Sequence, residues 1–439
     1  MKVKLLAMSL LCLFTFGTIG ATEASAPDST KTEKSNLGLK KSNLLIGGYG
    51  EIVMTRNFFS DNYLRYSKPE AYANDRGHGR FDIPHMVIFL GYDFGKGWTF
   101  QTEIEFEHGG IGAATEIEEE EGGEYETEVE RGGEVVLEQL WIQKAMLDGR
   151  LNIRLGHIIV PVGQTNQHHM PNEYFGVYRP EGNNTILPCT WHETGVSLWG
   201  KTKQWRYEAL FIAGLDSDRF NRKNWIKGSA GSPYEFKIAN TYATALRIDN
   251  YSVPGLQLSL SGYAGNSFRN TLSVNKNEKY KDVKGTVLLG AFDFNYSAYN
   301  FIIRGGVIYG HLTDSKLISQ YNMSMPNASV SSKQAVASDA ISIGVEAGYD
   351  FFALNPKLKA DNQKFYLFGR YDYYDSMFRT APGITNYEWC GRNRVAVGVN
   401  YYPVKQVIIK AEYANGIMPT GFNNEPSVSI GVCFAGFFL

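Results

Sequence analysis

GWTFQTEIEFEH, residues 97–108, decides the fold class, because its side chains alternate in character from one position to the next. Large apolar side chains occupy one parity: Trp98, Phe100, Ile104 and Phe106. Amide and acidic side chains occupy the other: Gln101, Glu103, Glu105 and Glu107. Successive side chains of a β-strand point to opposite faces. The stretch therefore predicts a strand with one apolar face and one acidic face.

The same alternation recurs in sixteen segments from residue 43 onward. They lie near 43–54, 80–94, 98–108, 134–146, 150–160, 191–201, 204–214, 237–249, 256–266, 284–296, 300–311, 339–352, 363–374, 392–402, 405–415 and 426–438. Most connections after even-numbered segments are short turns, among them Gly95-Lys96-Gly97, Asp148-Gly149, Thr202-Lys203, Ser297-Ala298 and Pro403-Val404. Long loops follow the odd-numbered segments. This sorting is typical of bacterial outer-membrane proteins, so the sequence predicts an all-β fold, a closed antiparallel transmembrane β-barrel of sixteen strands.

The first residues have the pattern of a secretory signal peptide. Lys2 and Lys4 precede an apolar run that ends at Ile19, and small residues follow up to Ala26. Cleavage after Ala26 fits best, and cleavage after Ala21 is the alternative. No run of 18 apolar residues occurs later, which argues against a helical membrane protein. The predicted divisions are a signal peptide, a polar tether and a barrel domain: 1–26, 27–42 and 43–439.

Composition narrows the class further. The chain has 27 Tyr, 26 Phe and 46 Gly among 439 residues, a composition that suits strands with only one face exposed to lipid. Its net charge of −2 argues against a nucleic-acid partner. Outside the signal peptide it has Cys189, Cys390 and Cys433, and an odd number argues against a disulfide framework. A bond between Cys189 and Cys390 and three unpaired thiols both stay open.

Five stretches carry a second, more specific pattern. They are RFDIPHMVIFLGYDFGKGWTFQTEIEFEH (80–108), GEVVLEQLWIQKA (133–145), LNIRLGHIIVPVG (151–163), FGVYRPEG (175–182) and WHETGVSLWG (191–200). In order and spacing they resemble the phosphate-selective porin family, and the resemblance extends from about residue 43 to the C-terminus. It implies a sixteen-stranded barrel, a third loop folded into the lumen and a homotrimer.

The third loop, residues 161–190, is the predicted constriction of the pore. Its polar candidates are His168, His169, Glu173, Tyr174, Tyr178 and Arg179. In the family that the chain resembles, phosphate selectivity is associated with arginines and lysines at the constriction. This loop contains a single arginine and no lysine, so the fold is expected to carry over and the phosphate preference is not. An outward, solvent-facing loop is the alternative.

Parity also predicts which charged side chains line the lumen. The basic ones are Arg154, Arg206, Arg247, Arg304, Arg370, Arg394 and Lys410. The acidic ones are Glu103, Glu105, Glu107, Glu193, Glu208, Glu346, Asp350, Asp372 and Glu412. The fourth and tenth segments show no clear parity. A basic wall opposite an acidic wall would set a field across the pore that favours polar solutes; the alternative is that the charges are merely paired and solvated.

The sequence predicts no metal site, no cofactor and no catalytic centre. His168 and His169 are adjacent and lack the spacing of known zinc motifs. His192 and Ser197 are five positions apart, so a regular strand places them on opposite faces, where they cannot act together. The second loop contains nine glutamates between Glu116 and Glu130, a charge run that is normally solvated. Divalent cations bridging it to lipopolysaccharide are a further hypothesis.

Taken together, these patterns predict a non-enzymatic porin in the bacterial outer membrane. Ions and small hydrophilic solutes would cross it by passive diffusion, with an anion preference as one variant. A phosphate- or anion-selective porin is the first alternative. The second is a non-conducting structural or adhesive barrel with a plugged lumen. The expected partners are outer-membrane lipid, lipopolysaccharide and two further copies of the chain.

Overall fold

The computed structural model describes residues 43–108, 114–119, 125–130, 135–229, 236–271, 278–326 and 331–438. The predicted signal peptide and tether lie outside the described residues. The strands are β1 Leu44–Asn57, β2 His78–Asp82, β3 His85–Gly95, β4 Trp98–Glu107, β5 Ala114–Glu119, β6 Tyr125–Glu130, β7 Val135–Met146, β8 Leu151–Ile159, β9 His192–Lys201, β10 Trp205–Ala213, β11 Tyr242–Asn250, β12 Leu256–Asn266, β13 Thr286–Ala298, β14 Phe301–Leu312, β15 Asp339–Asp350, β16 Lys364–Arg379, β17 Gly391–Val404, β18 Val407–Ile417 and β19 Glu425–Phe437. The short α-helices are α1 Pro69–Tyr72, α2 Gln164–Gln167, α3 Glu181–Ile186, α4 Ser315–Met323 and α5 Pro356–Ala360.

Antiparallel pairing of neighbours closes the sheet into a barrel. From β7 to β19 each strand pairs with the next along the chain, β3 pairs with β4 and β4 with β7, and β1 pairs with β19 from Gly47↔Phe437 to Asn57↔Ser427. Strands β2 and β3 both pair with β1, and together they form one arm of the barrel, which gives sixteen arms. Strands β5 and β6 form a separate hairpin within the second loop. The predicted sixteen-stranded antiparallel barrel is confirmed.

Three local predictions were wrong. The turn predicted at Pro403-Val404 lies in β17, which pairs through Val404 with Val407, and the actual turn is Lys405-Gln406. The segment predicted at 80–94 is divided between β2 and β3, because Pro84 has no backbone N–H to give to the ladder. The turn predicted at Ser297-Ala298 lies in β13, which pairs through Ala298 with Phe301. The actual turn is Tyr299-Asn300, where both residues have positive φ, 52° and 65°. Two positive φ angles in a row fit the two-residue turns that match the twist of antiparallel strands.

The outer face of the barrel is apolar. One row of side chains crosses five strands by direct cross-strand pairing: Ile248, Leu260, Phe292, Val307 and Ile343. Every member of the row is exposed, although large apolar groups normally avoid water. A continuous exposed apolar row of this kind is the surface that a transmembrane barrel presents to hydrocarbon. None of the helices among the described residues is long and apolar enough to span a membrane.

The long loops pack against one another instead of extending separately into solvent. Trp225 Nε1 in the fourth loop donates to the Ala337 carbonyl at 3.2 Å, and Asn322 Nδ2 of α4 donates to Ser217 O at 2.9 Å. Lys227 Nζ reaches into the third loop and donates to Asn184 Oδ1 at 3.1 Å. A buried apolar cluster runs through these loops and the adjoining strand ends. The loops therefore share a buried apolar core at the long-loop end of the barrel.

Candidate pore constriction

The third loop crosses the interior of the barrel. Tyr174 Oη donates to the Glu51 carboxylate of β1 at 3.1 Å. On other walls, Phe175 N donates to Glu346 of β15 at 3.2 Å, and Val177 N donates to Glu412 of β18 at 3.2 Å. A loop that leaves β8 can contact β1, β15 and β18 only by lying within the lumen.

Charged side chains on the wall form hydrogen bonds with backbone groups of this loop. Lys410 Nζ donates to the carbonyls of Tyr174 at 3.0 Å and Gly176 at 2.8 Å. A Cβ at Gly176 would lie 2.8 Å from the backbone carbonyl of Tyr178 and also 2.8 Å from Arg370 Nη1 on the wall. A glycine is needed at this close approach because any side chain would collide. The wall charges thus fix the path of the loop.

Asn166 joins the two ends of the loop. Its Nδ2 donates to the Val162 carbonyl at 2.9 Å, and its Oδ1 accepts from the Trp191 N–H at 2.8 Å. At the entry, Arg247 Nη1 of β11 donates to Gly163 O at 3.3 Å. Since buried backbone groups need partners, these bonds allow a non-repetitive segment to lie inside the barrel.

Each of the six arginines predicted to line the lumen lies within ion-pair distance of a carboxylate. The pairs are Arg154 with Glu208 (3.9 Å), Arg206 with Glu208 and Asp249 (3.2 Å to Asp249), Arg247 with Asp249 (2.8 Å) and Asp293 (3.1 Å), Arg304 with Glu346 (3.0 Å), Arg370 with Asp372 (2.6 Å), and Arg394 with Glu181 (2.9 Å) and Glu412 (3.5 Å). The basic groups are therefore interleaved with acids from β8 to β18. They do not form a separate basic wall.

The opposite part of the wall is acidic. Its buried carboxylates come from β1, β4 and β7: Glu51, Glu103, Glu105 and Glu138. Arg179 from the third loop lies beside them and donates to the Tyr49 hydroxyl at 3.3 Å and to the His169 carbonyl at 3.2 Å. Glu51 and Glu138 were not among the residues predicted to line the lumen. In β1 the parity that holds Tyr49, Glu51 and Thr55 was the available signal.

Several predicted residues have more local roles. Asp350 accepts hydrogen bonds from the N–H groups of Phe352 at 3.1 Å and Phe365 at 3.0 Å, so it caps a turn. Glu107 ends β4 and lies near His85 and Glu105. Tyr178 shares a hydrogen bond of 3.2 Å with Thr55.

The two adjacent histidines of the loop face different neighbours. His168 Nδ1 lies 3.3 Å from Glu173 Oε1. Burial raises the pKa of the Glu173 carboxyl, but the hydrogen bond and charge of His168 outweigh it and hold that pKa below its ordinary value. His169 packs edge-on against the Tyr49 ring, and burial lowers the pKa of its imidazole. Two groups of side chains could hold a metal ion: His85, Glu105 and Glu107, and Glu103, Glu138 and His169.

The candidate catalytic residues do not converge. Ser197 is buried and donates to Glu208 at 2.7 Å, whereas His192 lies on the other face of β9 beside His157. Glu193, on the same face as Ser197, pairs with Lys237 at 2.8 Å. His192 therefore cannot act as a base on the Ser197 hydroxyl, whose carboxylate partner Glu208 is already paired with Arg206.

The three cysteines are free thiols. Burial raises the pKa of the Cys189 thiol to about 11 and that of Cys390 to about 12, so both are protonated at neutral pH. A protonated, buried thiol is a poor nucleophile.

Between the third loop and strands β14–β16 lies a cavity of about 20 Å³. Its lining includes Gln164, Asn183, Arg304 and Glu346. A volume of this size holds about one water molecule. The interior therefore contains both charge and space for water next to the loop.

Comparisons with known proteins support the barrel fold. No family model matches the chain. An uncharacterized protein of Aquifex aeolicus (strain VF5) is 23% identical over 381 residues, 85% of this chain and 76% of that protein. The outer-membrane channel DcaP of Acinetobacter baumannii aligns with a TM-score of 0.51 at 11% identity, over 90% of this chain and 97% of that one. An anion-selective porin from Comamonas acidovorans aligns with a TM-score of 0.49 at 9% identity, over 90% and 99%. The likeness to DcaP shows that the chain forms a porin-type barrel.

Proposed function

We propose that the protein is an outer-membrane channel through which ions and small hydrophilic solutes diffuse passively. The observation that carries the proposal is the third loop, held across a closed barrel by wall charges such as Lys410 and Glu412. A loop fixed in this way narrows the lumen and leaves polar groups beside the remaining passage. Such a passage admits hydrated solutes and opposes apolar ones.

The charge arrangement favours weak selectivity. Each predicted lumen arginine has a carboxylate within 4 Å, so its positive field is largely compensated. On the opposite side, Arg179 lies beside the carboxyl groups of Glu105 and Glu138, which oppose its positive charge. For this chain we expect small reversal potentials, without the strong anion preference that the phosphate-selective alternative requires.

Planar bilayers test the proposal directly. Purified protein, shown to be folded by heat-dependent migration on gels, should give discrete conductance steps in KCl. The reversal potential in a tenfold salt gradient should lie well short of the value for an ideally selective pore, and added inorganic phosphate should leave the current unchanged. Folded protein without conductance would overturn the channel, whereas ideal anion selectivity with phosphate block would replace it by the phosphate-selective alternative.

A non-conducting barrel is the second candidate, and one observation favours it. The long loops share a buried apolar cluster that includes Trp225, Phe220 and Phe268, and this cluster lies at the long-loop end. Liposome swelling separates the two functions, because vesicles that contain a conducting channel swell in small sugars. Swelling equal to that of protein-free vesicles would favour the non-conducting barrel.

We also propose where the protein is located and how many copies assemble. The exposed apolar row through Leu260 and Phe292 supports integration in the outer membrane, in contact with its lipid and lipopolysaccharide. A homotrimer is implied by the family resemblance and stays a prediction. Chemical cross-linking of the detergent-purified protein should give a ladder that ends at three chains; a ladder that ends at one chain would contradict the trimer.

A further inference from the structure

Three buried side chains from different parts of the fold meet beside the third loop. Glu103 comes from β4, Glu138 from β7 and His169 from the loop. They expose 7%, 0% and 8% of their surface, respectively. One donor atom from each lies within 4.8 Å of those of the other two.

A bulge brings the two carboxylates together. In the pairing of β4 with β7, Glu103 is opposite Gln139 and Ile104 is opposite Leu137, so Glu138 is the extra residue. A bulged residue leaves the regular alternation and its side chain is re-aimed. Here the bulge directs Glu138 inward beside Glu103, and two buried carboxylates this close can both be ionised only with a cation between them.

Each residue of the cluster has one buried side-chain atom without a hydrogen-bond partner among the described residues: Glu103 Oε2, Glu138 Oε1 and His169 Nδ1. Such unpaired buried polar atoms are uncommon in native proteins, because leaving them unsatisfied costs free energy. The nearby cation Arg179 gives its hydrogen bonds to Tyr49 and to the His169 carbonyl. The unpartnered atoms therefore belong to three side chains whose potential ligand atoms meet in one small space, and a bound cation would satisfy them.

We infer that Glu103, Glu138 and His169 bind a divalent transition-metal ion, with Zn²⁺ the best match to the donor set. Two carboxylate oxygens and one imidazole nitrogen are three ligands of the kinds that Zn²⁺ takes, with a fourth position left for water. The two carboxylates neutralise the charge of the ion. Because two ligands belong to the wall and one to the loop, the ion ties the third loop to β4 and β7. This goes beyond the channel function, since binding can be measured without conduction.

The other group of potential ligands fits less well. His85 Nδ1 already forms a hydrogen bond of 2.6 Å with Glu105 Oε1. That nitrogen would have to give up its partner to bind an ion, whereas His169 Nδ1 has none to lose. Glu107→Gln, in this second group, therefore serves as a control for the position of the metal.

Equilibrium dialysis against Zn²⁺ with metal analysis tests the inference. The detergent-purified protein, first stripped with a chelator, should take up one Zn²⁺ per chain, and its thermal unfolding temperature should rise. His169→Ala and the isosteric Glu138→Gln should each weaken binding at least about tenfold, the order that loss of metal-site interactions produces. His168→Ala, a change at the neighbouring histidine, should bind as the parent does.

Heat-dependent migration shows that each variant is folded before it is compared. Absence of Zn²⁺ uptake by the folded parent would overturn the inference. Uptake that survives His169→Ala, or that Glu107→Gln abolishes, would overturn it as well, because the ion would then lie elsewhere. Should His169→Ala fail to fold, Glu138→Gln decides the matter alone.

Discussion

At the scale of single residues, Lys410 shows how the wall holds the loop. Its side chain is 1% exposed, its Nζ donates to the carbonyls of Tyr174 and Gly176, and it lies 4.2 Å from the centroid of the Tyr174 ring. Removing the ammonium leaves two buried carbonyls without a donor, at a cost of about 1–3 kcal/mol each. The lysine therefore contributes to the position of the loop as well as to the charge of the lumen.

We predict that Lys410→Met loosens the third loop while the barrel stays closed. Limited proteolysis in detergent should cut the variant within the loop faster than the parent, and its thermal unfolding temperature should fall. Lys203→Met, at an exposed turn residue, is the matched control and should behave as the parent. Equal cleavage rates in Lys410→Met and the parent would contradict the role assigned to the ammonium.

Arg394 sets the local charge balance on the other side of the loop. It pairs with Glu181 at 2.9 Å and with Glu412 at 3.5 Å, and the Glu181 side chain is a third exposed. Arg394→Gln removes one positive charge beside these two carboxylates, so the permeability ratio of cations to anions should rise about twofold, as expected for one charge acting across water. The reversal potential in a KCl gradient measures this ratio. Lys359→Gln in α5 is the control, and an equal shift there would refute the assignment.

Parity along the strands could predict where many of these side chains lie, since Arg247, Arg304 and Arg370 are buried on the polar face of strands with a clear alternation. It could not find Glu138 because the bulge shifts that residue out of the alternation. It could not predict the ion pairs either. Whether Arg247 contacts Asp293 depends on β11, β12 and β13 being adjacent in a particular register, which one strand's sequence does not contain.

At the scale of elements, the third loop behaves as a folded unit because Asn166 bridges its ends. Asn166→Ala removes both the acceptor of the Trp191 N–H and the donor to the Val162 carbonyl. The loss of about 2 kcal/mol should speed hydrogen exchange of the Trp191 amide by about 30-fold. Asn172→Ala, an exposed position in the same loop, should leave that rate unchanged. Unchanged exchange in Asn166→Ala would show that the loop ends are held by other contacts.

Element positions could be predicted from the sequence better than loop packing could. Alternation and turn length depend on neighbouring residues only, so the sixteen arms were predicted, apart from the break at Pro84 and the exact turns at Tyr299-Asn300 and Lys405-Gln406. The apolar cluster of the loops was missed because its members are scattered. Phe220, Phe268 and Trp389 come from three loops, and none lies in an apolar run long enough to indicate a core.

At the scale of the whole molecule, two facing environments explain why the barrel closes. The exposed row of apolar side chains avoids water only if it contacts lipid. The charged interior stays separated from that lipid only if the sheet has no free edge, since an edge would also leave backbone groups unpaired in lipid. The pairing of β1 with β19 removes that edge, and Phe438 N extends it by donating to Ile46 O at 2.8 Å. Loops, ion pairs and any bound cation all act within the enclosure that this closure creates.

If the outer face contacts lipid and the rim contacts water, the cost of an arginine substitution should depend on its depth in the membrane. Leu260 lies near the middle of β12 with its side chain 58% exposed between Ile248 and Phe292, whereas Tyr299 lies in a turn at the rim. Leu260→Arg should lower the free energy of unfolding from vesicles by about 2–4 kcal/mol, because an arginine at the bilayer midplane is poorly solvated. Tyr299→Arg should cost only about 0–1 kcal/mol, since the rim is hydrated. Equilibrium denaturant titrations into lipid vesicles measure both values, and equal losses at the two positions would mean that the exposed row does not face hydrocarbon.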